Sequence, residues 1–141
     1  MFAESLGSTD CDCKVQLDFA LEYIAAKGGA LIYLAQEGRG IGLAGKIQAI
    51  ARQQEEGINT AAAYAALGHA KDPRTYASVL PMLESIGFPK KIRLATNNPA
   101  KESAVTDMGY IVQERFMPKF DMPERVESYL REKQMHLGHY G

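Results

Sequence analysis

The stretch Gln36-Glu37-Gly38-Arg39-Gly40-Ile41-Gly42-Leu43 constrains this chain more than any other. It follows the apolar run Ala30-Leu31-Ile32-Tyr33-Leu34 and precedes a segment in which Leu43, Ile47 and Ile50 recur at helical spacing. Apolar run, glycine-rich turn and amphipathic stripe read as a buried strand, a tight turn and a helix. Such a turn brings backbone N–H groups and a helix N-terminus up to an anionic ligand. One acid, Glu37, and one base, Arg39, stand inside it.

The remaining chain repeats the alternation. Leu17, Leu21 and Ile24 predict a helix over 14–27 that stops at Gly28-Gly29. The helix that begins near Leu43 runs to about Glu56, with Gly57 as its stop. Residues 60–67 are alanine-rich and helical, and 68–74 form a loop containing Asp72-Pro73-Arg74. Val79, Leu83 and Ile86 mark a further helix ending at Gly87, with Pro81 in local conflict. A second buried strand covers 92–95, and Asn98-Pro99 reads as an N-cap with proline at the first helical position. That helix runs to Met108-Gly109; a third strand follows over 110–114, then a loop over 118–123 and a last helix over 124–135. Residues 1–10 show no period. The expected fold is α/β, a mostly parallel or mixed sheet flanked by helices. In such folds ligands sit at the carboxyl ends of strands, so 36–42 and 96–98 are expected to face one crevice.

A chain of 141 residues reads as a single domain, 1–141. The net charge of −1 gives no reason to expect nucleic acid as a partner, so an anionic ligand has to be met by local Lys and Arg. No apolar run approaches the roughly 18 residues of a membrane span. Residues 1–8 carry neither the basic nor the apolar region of a signal peptide. Two cysteines, two positions apart, are not a disulfide framework. These features together read as cytoplasmic.

Each motif has two readings. Cys11-Asp12-Cys13 is either a pair of incidental thiols in a loop or two ligands of one metal; a catalytic zinc needs three protein ligands and an open position. The turn at 36–43 is either a plain connection or a ligand site. In the second reading the Glu37 carboxylate accepts from the N1–H and N2–H₂ edge of a guanine, and the Arg39 guanidinium forks onto carbonyl or phosphate oxygens. Asp72-Pro73-Arg74 is either a solvated turn or a phosphate clamp in which Asp72 orients Arg74. Thr96-Asn97-Asn98-Pro99 with Lys101 is either strand, cap and helix alone or a phosphate contact by the Thr96 hydroxyl and the Lys101 ammonium. His69, His136 and His139 read as surface or cap histidines, and Met108, Met117, Met122 and Met135 as packing.

In combination these motifs resemble GTP cyclohydrolase II: C-D-C followed by Gln16, Q-E-G-R-x-I-G-L, the D-x-R loop, and L-x-T-N-N-P-x-K. The likeness runs from Ser5 to Gly138. It implies a zinc- and magnesium-dependent homodimer that opens the guanine imidazole ring of GTP at the start of riboflavin biosynthesis, releasing formate and pyrophosphate. By the same resemblance Cys11 and Cys13 are zinc ligands. Gln16, Glu37, Gly38, Arg39, Thr60, Thr96 and Lys101 are GTP contacts. Asp72 is the proton acceptor, and Arg74 is the nucleophile that attacks the α-phosphate. A guanidinium stays protonated, so a phosphate contact suits Arg74 better than nucleophilic attack.

Three departures from the family pattern stand out. The third zinc cysteine falls immediately before Met1, and an upstream β-rich segment with a basic R-x-H-x-E stretch precedes that point. The chain therefore reads as the C-terminal catalytic portion of a longer enzyme. Ile50 stands where the family commonly has a tyrosine, so the reaction can stop at a formylated product. The alternative reading is a non-catalytic GTP-binding or dimer-forming homologue, or a fragment without a complete zinc site; zinc content separates it from the enzyme.

Overall fold

The computed structural model describes residues 2–7, 11–70 and 72–120, together with 126–127, 130–131, 134–135 and 138–139. Among the described residues the elements run in the order α1 (Phe2–Leu6), α2 (Cys13–Lys27), a short 3-10 turn (Glu37–Gly40), α3 (Gly42–Glu56), α4 (Thr60–Ala66), α5 (Val79–Ser85), β1 (Lys91–Ala95), α6 (Pro99–Asp107) and β2 (Ile111–Phe116). The fold is α/β. β1 and β2 pair in parallel from Lys91↔Ile111 to Ala95↔Phe116, with a register shift between Ile92 and Arg93. A parallel pair needs a crossover, and α6 supplies it.

Local signals account for most boundaries. Gly57 adopts a left-handed backbone (φ 65°) and closes α3 by donating its N–H to Gln53. Asn98 caps α6, its Oδ1 accepting from Ala100 N–H at 2.9 Å, with Pro99 at the first helical position. Asn59 caps α4 in the same way, through Ala62 N–H. Pro81 is accommodated in the first turn of α5, where a helix has no intrahelical partner for the N–H that proline lacks.

Two apolar clusters hold these elements. Val79, Leu83, Ile92, Val105 and Tyr110 join α5, α6 and the sheet. Ala49, Ala63 and Tyr64 join α3 to α4, with Ile41, Ile58 and Leu67 around them. Small residues at this second contact let the two helix backbones approach closely. The α2 helix buries no residue fully; rings attach it to the end of the sheet, with Tyr23 and Phe116 centroids 5.1 Å apart and Phe19 and Phe120 centroids 5.9 Å apart.

Two expectations differ from the structure, and a third falls largely outside the described residues. Residues 30–34 form no strand among the described residues, although their side chains alternate as a strand's would: Leu31 and Tyr33 are exposed, while Ile32 and Leu34 pack on the first cluster. The period-2 pattern is present, but no described strand supplies the ladder hydrogen bonds that complete it. The sheet of the described residues is accordingly two-stranded. The α1 helix had no periodic signal, being too short to repeat one. The last helix, expected over 124–135, is seen at 126–127, 130–131 and 134–135; its other positions, and 121–123 of the preceding loop, lie outside the described residues. Among the described residues no helix is long and apolar enough to cross a membrane.

Candidate functional site

The turn after residue 36 is built from unusual backbone. Gly38 (φ 59°) and Arg39 (φ 57°) are both left-handed. At Arg39 this conformation costs about 1–2 kcal/mol. A Cβ at Gly38 would lie 3.0 Å from Lys46 Cβ and 3.1 Å from Ile41 Cγ1, so a side chain there would strain the left-handed backbone and crowd α3. The Tyr64 hydroxyl donates to the Gly38 carbonyl at 2.9 Å, and the Arg39 guanidinium carbon sits 5.5 Å from the centre of the Tyr64 ring.

Glu37 is held by Lys46, whose Nζ donates to Oε1 at 2.7 Å, and by the Phe2 N–H at 3.0 Å. Burial by itself would raise the Glu37 carboxyl; hydrogen bonds and positive charge, the Lys46 ammonium foremost among them, outweigh it and lower the pKa to about 2. Burial likewise works against the Lys46 ammonium, and the bond to Glu37 reverses that and raises its pKa. Glu37 is therefore a carboxylate throughout the neutral range.

The second loop lies against the turn. A Cβ at Gly40 would be 3.7 Å from Arg74 N and from the Pro73 carbonyl. Gln36 ties the two loops reciprocally: its Nε2 donates to the Thr75 carbonyl at 2.6 Å, and its Oε1 accepts from Thr75 N–H at 3.3 Å. Asp72 grips Arg74 in a fork, Nε donating to Oδ1 at 2.7 Å and Nη2 to Oδ2. Burial pushes the Asp72 carboxyl up, but Arg74 and, more weakly, Arg39 bring it below its ordinary value. The Tyr76 hydroxyl is raised by burial.

A third element approaches from the carboxyl end of β1. Thr96 is buried and donates its N–H to the Phe116 carbonyl at 2.9 Å, prolonging the pairing by one residue. Its hydroxyl accepts from Asn98 N–H at 3.1 Å, and α6 follows at once with Lys101 in its first turn. The helix N-terminus therefore faces the same space as the turn, an arrangement suited to anions.

One cavity of about 1070 Å³ collects these groups. Cys11, Cys13, Gln16, Glu37, Gly38, Arg39, Thr60, Arg74, Thr96 and Lys101 all line it, as does Ile50. Asp72 does not line it; it stands behind Arg74. Thr60 opens α4 with its hydroxyl bonded to Gln53 Oε1 at 3.1 Å, and Gln16 donates its side-chain N–H to Asp12. The common crevice expected from the sequence exists although 30–34 is not paired as a strand.

Cys11 and Cys13 form no disulfide with each other, and their sulfurs lie 2.8 Å apart. Two thiolates on one tetrahedral zinc, each at ~2.3 Å, are about 3.8 Å from one another. Among the described residues no group of three His, Cys, Asp or Glu side chains gathers that could hold a metal ion. The buried Asp12 between the thiols is engaged by Gln16. The described donor set thus does not fit a catalytic zinc.

Sequence reasoning missed several residues. Lys46 lies nine positions from its partner Glu37, across a turn whose closure no local pattern encodes. Tyr64 left a signal, a single aromatic in the alanine run of α4. Gln36 was visible only as part of its motif. His139, read as a surface or cap residue, lines the cavity, and its Nδ1 is 3.2 Å from Asn97 Oδ1.

Comparison with known proteins supplies the last observation. The family model described as GTP cyclohydrolase II matches residues 1–117. The chain is 47% identical over 137 residues to a GTP cyclohydrolase-2 of Pseudomonas putida, covering 96% of this chain and 66% of that protein. It is 46% identical to one of Shewanella frigidimarina, covering 96% and 67%, and 47% identical to one of Pseudomonas entomophila, covering 96% and 66%. The chain spans about two thirds of the length of these relatives.

Proposed function

Because this chain belongs to the GTP cyclohydrolase II family, we propose that it is the C-terminal catalytic portion of an enzyme that hydrolyses GTP, opening the guanine imidazole ring with loss of formate and pyrophosphate, at the start of riboflavin biosynthesis. The observation that carries this reading is the Arg74–Asp72 fork set against the Gln36–Gly40 turn on the wall of one cavity. In this reading the turn takes the base. The Glu37 carboxylate accepts from the N1–H and N2–H₂ edge, a role its low pKa suits, while Gly38 and Arg39 meet the carbonyl side, with Gln16 and Thr60 on the flanking walls. The triphosphate, with Mg²⁺ as part of the substrate, lies toward Arg74, Thr96 and Lys101, where two side-chain cations and a helix N-terminus converge on one space.

Arg74 contacts the α-phosphate as water adds to phosphorus and the bond to the β-phosphate oxygen breaks, releasing pyrophosphate. Asp72 serves this step by orienting the guanidinium. Its carboxyl is ionised, turned to Arg74 and set back from the cavity, which suits an anchor better than a base for substrate. Zinc is implied by the resemblance at Cys11 and Cys13, and the described residues give it too few ligands. Ring opening in this reading belongs to the full-length homodimeric enzyme.

The test is mass spectrometry of products after the chain is incubated with GTP, Mg²⁺ and Zn²⁺, beside an Arg74→Ala variant. Pyrophosphate from the wild type and none from the variant supports the assignment. Intact GTP with the wild type refutes activity of this portion, and undiminished pyrophosphate with Arg74→Ala removes Arg74 from the step. If a pyrimidine forms, its mass reports whether Ile50 halts the reaction at the formylated stage.

A further inference from the structure

Tyr64 lies outside every motif that the sequence brought forward, yet it is 3% exposed and reaches across to the turn of residues 36–40. Its hydroxyl donates to Gly38 at 2.9 Å, and its ring lies 5.5 Å from the Arg39 guanidinium carbon. Arg39, with a side chain and φ of 57°, holds a backbone conformation that persists only when its surroundings over-determine it. Within the turn the backbone contributes Gly40 N–H to the Gln36 carbonyl at 3.1 Å and Ile41 N–H to Gly38 at 3.3 Å. The Gly38 carbonyl thus takes a second, side-chain donor from a different helix. Tyr64 is itself fixed by the Ala49 and Ala63 contact between α3 and α4.

We propose that Tyr64 is the positioning residue of this turn: its hydroxyl pins the Gly38 carbonyl and its ring supports Arg39, so that the guanidinium is set toward the cavity before any ligand arrives. The consequence for nucleotide affinity rests on the function proposed above; the clamp itself does not. Engaged by Gly38, the hydroxyl does not restore the one that position 50 lacks; it shapes the turn. Tyr64 does not touch the reacting atoms in this reading and is not a catalytic residue.

The experiment compares the wild-type chain with Tyr64→Phe, which keeps the ring, Tyr64→Leu, which removes ring and hydroxyl, and Leu67→Ala, which loosens the same helix pair without touching the turn. The first readout is the rate of tryptic cleavage after Arg39 under native conditions, followed by mass spectrometry, which reports local opening of the turn. The second is the dissociation constant for GTP by calorimetry. Tyr64→Phe is expected to speed cleavage and weaken GTP roughly 3- to 10-fold, the factor that one lost neutral hydrogen bond supplies. Tyr64→Leu is expected to exceed it in both readouts. Leu67→Ala, compared at equal distance below its own Tm, is expected to stay within about twofold of wild type. Unchanged cleavage in Tyr64→Phe overturns the proposal, as does an equal rise in Leu67→Ala, which would make the role one of general packing. Faster cleavage in Tyr64→Phe with no GTP binding by the wild type supports the clamp and refutes the nucleotide reading instead.

Discussion

Replacing Lys46 by methionine removes the ammonium that holds Glu37 while keeping the length of the side chain. The two groups meet at 2.7 Å with side chains 20% and 15% exposed, between the surface and the buried regime. Charge centres about 4 Å apart attract by roughly 4 kcal/mol at an effective dielectric of about 20, before desolvation is subtracted. Exposed pairs net about 0–1 kcal/mol, and removing one partner of a buried pair costs about 3–5. The coupling here is therefore expected at about 1–3 kcal/mol, and for a chain of this size Lys46→Met should lower Tm by roughly 4–12 °C.

The measurement is a double-mutant cycle of Lys46→Met and Glu37→Gln by urea unfolding, repeated from pH 7 to pH 2. Glu37 has a depressed folded-state pKa, about 2 against 4.5. Its stabilisation is thus complete above pH 4.5, falls as the pH drops from 4.5 toward 2, and is gone below that value. A coupling under about 0.5 kcal/mol at pH 7 would show the contact to be no stronger than an ordinary surface pair and would refute this reasoning. So would a coupling that persists unchanged at pH 2.

Two further outcomes follow from particular contacts. Because the described thiols offer zinc two ligands, the wild-type chain is expected to lose zinc to a mild chelator, and Cys13→Ser to retain none after dialysis, read by atomic absorption; equal zinc in that variant would remove the pair from the metal site. Asn98→Ala deletes the α6 cap and is expected to lower stability by about 0.5–2 kcal/mol, with Asn98→Ser recovering most of it, measured by thermal melts.

Features fixed by neighbours within a turn or two were legible in the sequence. Gly57 had to end α3, Asn98 and Pro99 had to open α6, and the stripes of α2, α3 and α5 were visible, because each depends on contacts three or four residues away. The motif residues were legible as chemistry, and the α/β order placed the 36–40 turn and Thr96 at one crevice. Tertiary structure alone decided how that crevice is held. Gln36 meets Thr75 across 39 positions, Tyr64 meets Gly38 across 26, and Lys46 reaches Glu37 around a left-handed turn. Many lysines, tyrosines and glutamines in the chain have the right chemistry for such contacts, and only packing selects among them. The segment 30–34 shows the same division: its apolar run is a property of the sequence, whereas a strand also needs a second backbone beside it, and that is decided by the fold.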